Sequence, residues 1–362
     1  MLNELTAQLA QGASLSAEQV ARAVAALVDE QLAAEAKAEF LTALARKGET
    51  AEEIAAFARE LRAKSVVPPL DAALRDREIL DVCGTGGDRL NTFNISTTVA
   101  LVAAAAGVTV AKHGNRAVTS QSGSADVLEA LGVPIDLAPE EAARALHEHG
   151  FAFFFAPRYH PAFKHIAPAR KLCAERGQRT IFNFLGPLLN PARPTAQLLG
   201  VPRPELCEPI ARVLQALGVR RGMVVCGEVP SSKFKVQSLS EASAPTASGH
   251  LDELSTLGDT TIAEFYQERG FTSSVMSPAD FQWQPATLAD LAGGDKQANA
   301  EIVRRLLRGE ERGPKRDAVL LNAGAALFLA TRTKSVLEGC DLAVELMDGG
   351  RAFAKLEELT RR

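Results

Sequence analysis

The chain has few of the features that mark secreted, membrane or nucleic-acid-binding proteins. Its five cysteines (Cys83, Cys173, Cys207, Cys226, Cys340) are scattered through 362 residues with no C-x-x-C pair. An odd, dispersed set argues against a disulfide framework or a structural zinc and for a reducing compartment. No apolar run reaches the roughly 18 residues of a bilayer span. The opening "MLNELTAQLAQGA" lacks a basic stretch followed by an apolar one, so no signal peptide is expected. Basic residues do not exceed acidic ones: 40 against 44 leave a formal net charge of −4. That balance gives no broad grip on nucleic acid or on an anionic membrane. Walker A, G-x-G-x-x-G, G-x-S-x-G and H-E-x-x-H patterns are all missing. His160 and His165, five apart, do not share a helical face as a zinc pair would. A cytoplasmic protein is expected, with no nucleic-acid or membrane partner.

What is present divides the chain by periodicity. Residues 1 to about 65 read as helices only. Ser16 with Gln19, and Thr50 with Glu53, have capping-box spacing ahead of apolar stripes, and Gly12 and Gly48 stand where helix C-caps belong. "SVVPPLD", with Pro68 and Pro69, reads as a linker or hinge. From Ile79 onward, short apolar runs ("EILDVC", "GVTVAK", "FAFFFAP", "GMVVCG") alternate with amphipathic helices. That alternation predicts an α/β fold with a mostly parallel central sheet flanked by helices, beside a small all-helical N-terminal domain. The expected division is a helical domain at 1–70, with a contribution from about 162–190, and an α/β domain at 71–161 and 191–362. "NFLGPLLNP" reads as a rigid turn, and 228–249 as a long loop or strand excursion.

Two loops carry most of the chemistry. "DVCGTGGDRLNTFNIST" (81–97) ends a predicted strand, puts Gly84, Gly86 and Gly87 in a tight loop, and opens a helix near Ile95. Glycines let backbone N–H groups approach a ligand, and a helix start offers free N–H groups and partial positive charge. Asn94, Ser96 and Thr97 add side-chain donors. A plain strand-to-helix turn accounts for this segment equally well on its own. The second loop, "AKHGNRAVTSQSGSADVLEALG" (111–132), gathers Lys112, His113 and Arg116 with Asn115, Thr119, Ser120, Ser122 and Ser124. Cations and hydroxyls at a strand end suit a polyanion, while Ser124 also suits a helix cap. Two such loops after consecutive strands lie at the carboxyl edge of the sheet, where open α/β folds bind ligands. Adjacent Asp252 and Glu253 suit Mg²⁺ if phosphates supply further oxygens, although most such pairs only start a helix. Arg170 is an available cation for a carboxylate.

Together "GTGGD…TFNIST", "KHGNRAVTSQSGSADVLEALG", "HPAFKHIAPAR", "RTIFNFLGPLLNP", "LDELS" and "LLNAGAALFLA" resemble the anthranilate phosphoribosyltransferases, enzymes of tryptophan biosynthesis. The resemblance implies transfer of the phosphoribosyl group of phosphoribosyl diphosphate (PRPP) to anthranilate, with Mg²⁺, two ions per site, and a homodimer joined through the helical domain. It implies that Gly84, Gly87, Asp88, Thr92, Asn94, Ile95, Ser96 and Thr97 bind PRPP. Lys112, His113, Gly114, Asn115, Arg116, Ala117, Val118, Thr119, Ser120 and Ser124 join them. Gly84, His113, Asn115 and Arg170 would line the anthranilate path, and Ser96, Asp252 and Glu253 would be the metal positions. No covalent nucleophile is implied. Three features depart from the family's pattern: about twenty residues inserted at 229–249, Cys226 in place of a histidine, and extra length between Arg170 and the "RT" pair. Other readings are a phosphoribosyltransferase with another aromatic acceptor, a pyrimidine nucleoside phosphorylase, and a non-catalytic nucleic-acid-binding paralogue.

Overall fold

The computed structural model describes residues 2–117, 121–233, 249–267 and 269–361. Helices Leu2–Ala10, Ala17–Val28, Ala34–Lys47 and Ala51–Ala63 make an N-terminal bundle. Both expected capping boxes are in place. Ser16 Oγ accepts the Gln19 N–H while Gln19 Oε1 accepts that of Ser16, and Thr50 and Glu53 repeat the exchange. Glu53 does more than cap. Its carboxylate, 1% exposed, also accepts the Leu15 N–H at 2.9 Å and the Lys47 ammonium at 2.6 Å. One side chain therefore ties three segments of the bundle. Glu53→Ala strands a 5%-exposed ammonium and should cost about 3–5 kcal/mol, read as a lower urea midpoint at unchanged m. A loss well under 1 kcal/mol would show that the carboxylate does not hold the bundle.

Among the described residues eight strands form one sheet: β1 (Ile79–Gly84), β2 (Thr109–Gly114), β3 (Phe151–Phe155), β4 (Ala196–Gly200), β5 (Arg221–Val229), β6 (Gly249–Leu251), β7 (Thr260–Tyr266) and β8 (Gly270–Met276). The order is β3-β2-β1-β4-β5-β7-β8, with β6 on the end of β5. The first five are mutually parallel; β6 and β7 pair antiparallel with β5, and β8 antiparallel with β7. The chain leaves β1 toward β2 and β3, then returns to pair β4 with β1 on its other side. A crevice for ligands is expected at that reversal, outside the carboxyl ends of β1 and β4.

Two sequence readings need correction. β4 and the antiparallel group β6–β8 are additional to the expected strands. "AQLLG" is short and carries the buried Gln197, while β8 is mostly exposed, so neither has a clean alternation. "NFLGPLLNP" is not a turn. Phe182–Leu188 is helical with Pro187 inside it, because Leu185 and Leu188 are buried in the core. Asp252 and Glu253 lie in a bend between β6 and β7.

Alternation along the strands sends side chains to two different cores. Leu80, Val82, Val110 and Leu198 face helices Ile95–Ala105 and Pro314–Leu329. On the other face, Leu199, Val224, Cys226 and Phe265 share one apolar cluster with Leu27, Phe57 and Leu61 of the N-terminal bundle. Ile166, Phe182 and Leu185 belong to the same cluster, and helices Ala167–Glu175 and Phe182–Leu188 thereby pack with the bundle.

Candidate active site

The Asp252–Glu253 bend lies across the carboxyl ends of β1, β4 and β5, and glycines make room for it. A Cβ at Gly84 would stand 2.1 Å from Asp252 Oδ2, and one at Gly200 1.5 Å from the Asp252 carbonyl oxygen. At Gly227 it would meet Ser255 Cβ at 2.5 Å and the Glu253 carbonyl oxygen at 2.6 Å. The Asp252 carboxylate then accepts the Gly86 N–H at 2.7 Å, and Glu253 accepts the Ser96 N–H at 3.1 Å. The acidic pair is thus bound directly to the glycine loop and to the start of helix Ile95–Ala105. Gly200 and Gly227 were not foreseen. Their signal in the sequence is a glycine at the carboxyl end of one apolar run after another.

Both acids are half-buried. Burial pushes Asp252 well above the carboxylate range, and Asp88 and then Glu253 push it further. Burial raises Glu253 to about 7, against the pull of Lys112 and of the Ser96 N–H. Crowded, repelling carboxylates are what a divalent cation would relieve. Among the described residues no group of three or more Asp, Glu, His or Cys is arranged to hold a metal by itself. A Mg²⁺ here would therefore complete its shell with water and phosphate oxygens, which is its usual habit. The residues fit that ion.

The other residues of the two loops are placed less simply than the motif suggests. Asp88 faces Asp252, and Arg89 and Asn91 turn the loop with φ of 60° and 53°. Thr92 bridges Ala292, and the Phe93 N–H reaches the Leu291 carbonyl, fastening the loop to the 291–293 segment. Asn94 precedes the helix without capping it. Its side chain donates to the Ser122 carbonyl and accepts from Asn299. Ile95 and Thr97 are buried, and Ser96 is half-buried beside Glu253. Lys112 is 1% exposed and donates to the Val82 carbonyl at 2.6 Å, on the Glu253 side of the sheet. Arg116 is exposed and paired with Asp126 and Glu129. Ser124 does not cap the next helix. Gly123 is the N-cap, its N–H and that of Ala117 going to Asp126, while Ser124 Oγ donates to the Asn115 carbonyl. Gly87 and Asn115 are exposed in the loops, and Gly114 lies against Ser124. Val118, Thr119 and Ser120, and most of the 229–249 insertion, lie outside the described residues.

The opposite side of the same strand ends has a different character. His113 follows Lys112 by one residue and so faces the other way. Its Nε2 is 3.2 Å from Nε2 of His160. The His160 ring stacks on Phe163 at 5.2 Å, Phe163 meets Phe182 edge-on at 5.7 Å, and the Arg170 guanidinium lies 5.1 Å from the Phe182 centroid. This continuous wall runs from the end of β2 to Arg170, which has no ion pair among the described residues. Sequence reasoning found His113 and Arg170 but missed His160, Phe163 and Phe182 between them.

Burial is the main cause that depresses both histidines, His113 well below its ordinary value and His160 to about 4. An unfolded histidine titrates near 6.5, so the unfolded chain gains protons below that pH that the folded chain refuses. Stability is lost as pH falls from 6.5 toward 4, roughly 3 kcal/mol from His160. The raised carboxyls act in the opposite direction, so the measurement is a difference. Urea midpoints at pH 7.5 and 5.0 should diverge more for wild type than for His160→Gln. Equal pH slopes for the two proteins would refute the assignment.

Comparison with known proteins agrees with this geometry. Residues 3–65 match the helical bundle domain of the glycosyl transferase family and residues 76–353 its a/b domain. The anthranilate phosphoribosyltransferase of Alkaliphilus metalliredigens is 46% identical over 89% of this chain and 86% of its own length. The crystal structure of the Thermus thermophilus anthranilate phosphoribosyltransferase superposes with a TM-score of 0.83 at 40% identity, covering 98% of both chains. The Saccharomyces cerevisiae enzyme in complex with PRPP and Mg gives 0.82 at 27% identity over 99% of this chain and 96% of that one. With both domains matched in order and nearly the whole chain aligned, the protein belongs to the anthranilate phosphoribosyltransferases of the glycosyl transferase family.

Proposed function

We propose that this enzyme transfers the phosphoribosyl group of PRPP to anthranilate, releasing pyrophosphate, in tryptophan biosynthesis. The observation that carries the reading is the two-sided site at the end of β1. Acids and backbone N–H groups gather on one side of Gly84, and an aromatic wall ending in Arg170 stands on the other.

Breaking the bond from ribose C1 to pyrophosphate builds positive charge on the sugar and negative charge on the leaving group. Ser96, Asp252 and Glu253 would hold Mg²⁺, two ions in this reading, which when bound would supply neutralisation of the departing pyrophosphate. The N-terminus of helix Ile95–Ala105 adds fixed positive potential where that charge collects. Phosphate and ribose contacts belong in this reading to Gly84, Gly87, Asp88, Thr92, Asn94, Ser96 and the 112–124 loop. Lys112, buried under Glu253, acts through the electrostatics of the acidic pair. The acceptor's ring lies against the aromatic wall, its carboxylate toward Arg170 and its amine toward Gly84, His113 and Asn115. The amine attacks with its own lone pair, so positioning supplies much of the rate. Closure at Pro68–Pro69 keeps water from the activated ribose. The same reading makes the protein a cytoplasmic homodimer joined through the helical bundle.

The test is loss of anthranilate fluorescence with PRPP and Mg²⁺. Rapid loss dependent on all three components supports the reading. A folded protein that binds PRPP but consumes no anthranilate overturns the acceptor assignment.

A further inference from the structure

Arg62 stands in the last turn of helix Ala51–Ala63 and is 7% exposed. Its Nε donates to the Leu188 carbonyl at 2.5 Å. That carbonyl closes helix Phe182–Leu188, where backbone dipoles favour a cation. Its Nη2 is buried with no hydrogen-bond partner, and Arg62 has no ion pair among the described residues. Asp81 favours the charge without pairing with it; a buried guanidinium on those terms is costly, and an apolar side chain of similar volume would serve folding alone better. Its surroundings suggest what the charge does. Arg62 lies close enough to His113 and His160 to oppose a positive charge on either ring, although burial is the larger cause for both.

The two imidazoles meet Nε2 to Nε2, so one must donate and the other accept. Two protonated rings would set donor against donor and open the pair. The other charged groups around the pair are Lys112 on β2 itself and Asp81 on β1, whose carboxylate accepts the His113 N–H at 3.4 Å. Arg193 faces Arg62 from the segment before β4. Arg62 is the one of these that the helical bundle contributes.

We propose that Arg62 is a positioning residue for the acceptor, pinning helix Phe182–Leu188, which carries Phe182 of the aromatic wall, to the helical bundle and holding the His113–His160 pair in its hydrogen-bonded geometry. This rests on reading that wall as the acceptor path. The bundle then does more than pack against the sheet, because its last helix completes the surface that receives the aromatic acid.

The experiment compares wild type with Arg62→Met, which removes the charge at similar length, and Arg62→Lys, which keeps the charge without the planar fork. Arg62→Met should raise the KM for anthranilate at least tenfold while the KM for PRPP stays within twofold, and Arg62→Lys should recover part of the loss. Ring ¹⁵N NMR should show His113 and His160 of Arg62→Met titrating at higher pH than in wild type. A parallel rise in both KM values, or an unchanged histidine titration, would overturn the proposal. If wild type consumes no anthranilate, the acceptor reading fails, and the NMR titration still decides whether Arg62 governs the pair. Should Arg62→Met not fold, Arg62→Gln, which keeps a donor for Leu188 and removes the charge, gives the same readouts.

Discussion

Gly200→Ala is expected to lower kcat/KM at least 100-fold while leaving a folded protein. The added Cβ would fall 1.5 Å from the Asp252 carbonyl oxygen and 2.2 Å from its carbon. These are backbone atoms of a segment held at both ends by strands β6 and β7, so no side-chain rotation relieves the clash. The bend must move by about an ångström or more, and displacements of that size at a catalytic constellation cost about 10²-fold. Overpacking should also remove about 1–3 kcal/mol of stability. Gly186→Ala is the control. Nothing lies within 4 Å of a Cβ there, and an alanine inside a helix should change stability by less than about 1 kcal/mol. The two-sided site predicts that Gly200→Ala loses Mg²⁺-dependent turnover before it loses PRPP protection against heat. Near-normal kinetics would mean that the bend is not part of the active site.

Replacing both acids, Asp252→Asn with Glu253→Gln, should lower kcat about 10³-fold, the scale of losing a preorganised electrostatic group. Stability should move the other way. In the folded state burial and mutual repulsion raise both carboxyls, Glu253 to about 7. The folded chain therefore holds protons that the unfolded chain has lost above about 4.5. Stability contributed by those protons declines as pH rises from about 4.5 to 7. The diamide lacks this decline, so without divalent cations it should melt at or above the wild-type temperature at pH 8. Thermal melts with and without Mg²⁺ decide the matter. A diamide that is inactive and also less stable would indicate structural rather than electrostatic roles for the acids.

The parts of this protein legible in its sequence are those written locally. Capping boxes at Ser16 and Thr50, strand-ending glycine loops and the Asp252–Glu253 pair depend on residues a few positions apart, and each was found. Contacts across the fold leave no such pattern. Gly200 reads as the end of a short apolar run, and only the arrival of Asp252 gives it a reason to lack a side chain. Pro187 argued for a turn, and burial of its neighbours overrode it. The three cations of the second loop looked like one cluster. Strand alternation sends Lys112 and His113 to opposite faces, and Asp126 and Glu129 take Arg116. That separation could have been read from the spacing alone. The aromatic wall could not, because its members come from segments whose meeting depends on how the helices pack.

The bond from the Gly86 amide to Asp252 spans 166 residues of chain, and that from Ser96 to Glu253 spans 157. On a translating ribosome, at about 5–20 residues per second, roughly 10–30 s separate synthesis of the glycine loop from synthesis of the acids that fasten it. A nascent chain in that interval has the residues of both loops but neither Asp252 nor Glu253, nor the 291–299 segment that fastens the first loop. The fold thereby ties assembly of the candidate site to near-completion of the polypeptide, and in the proposed reading a product ending before residue 252 would be inactive.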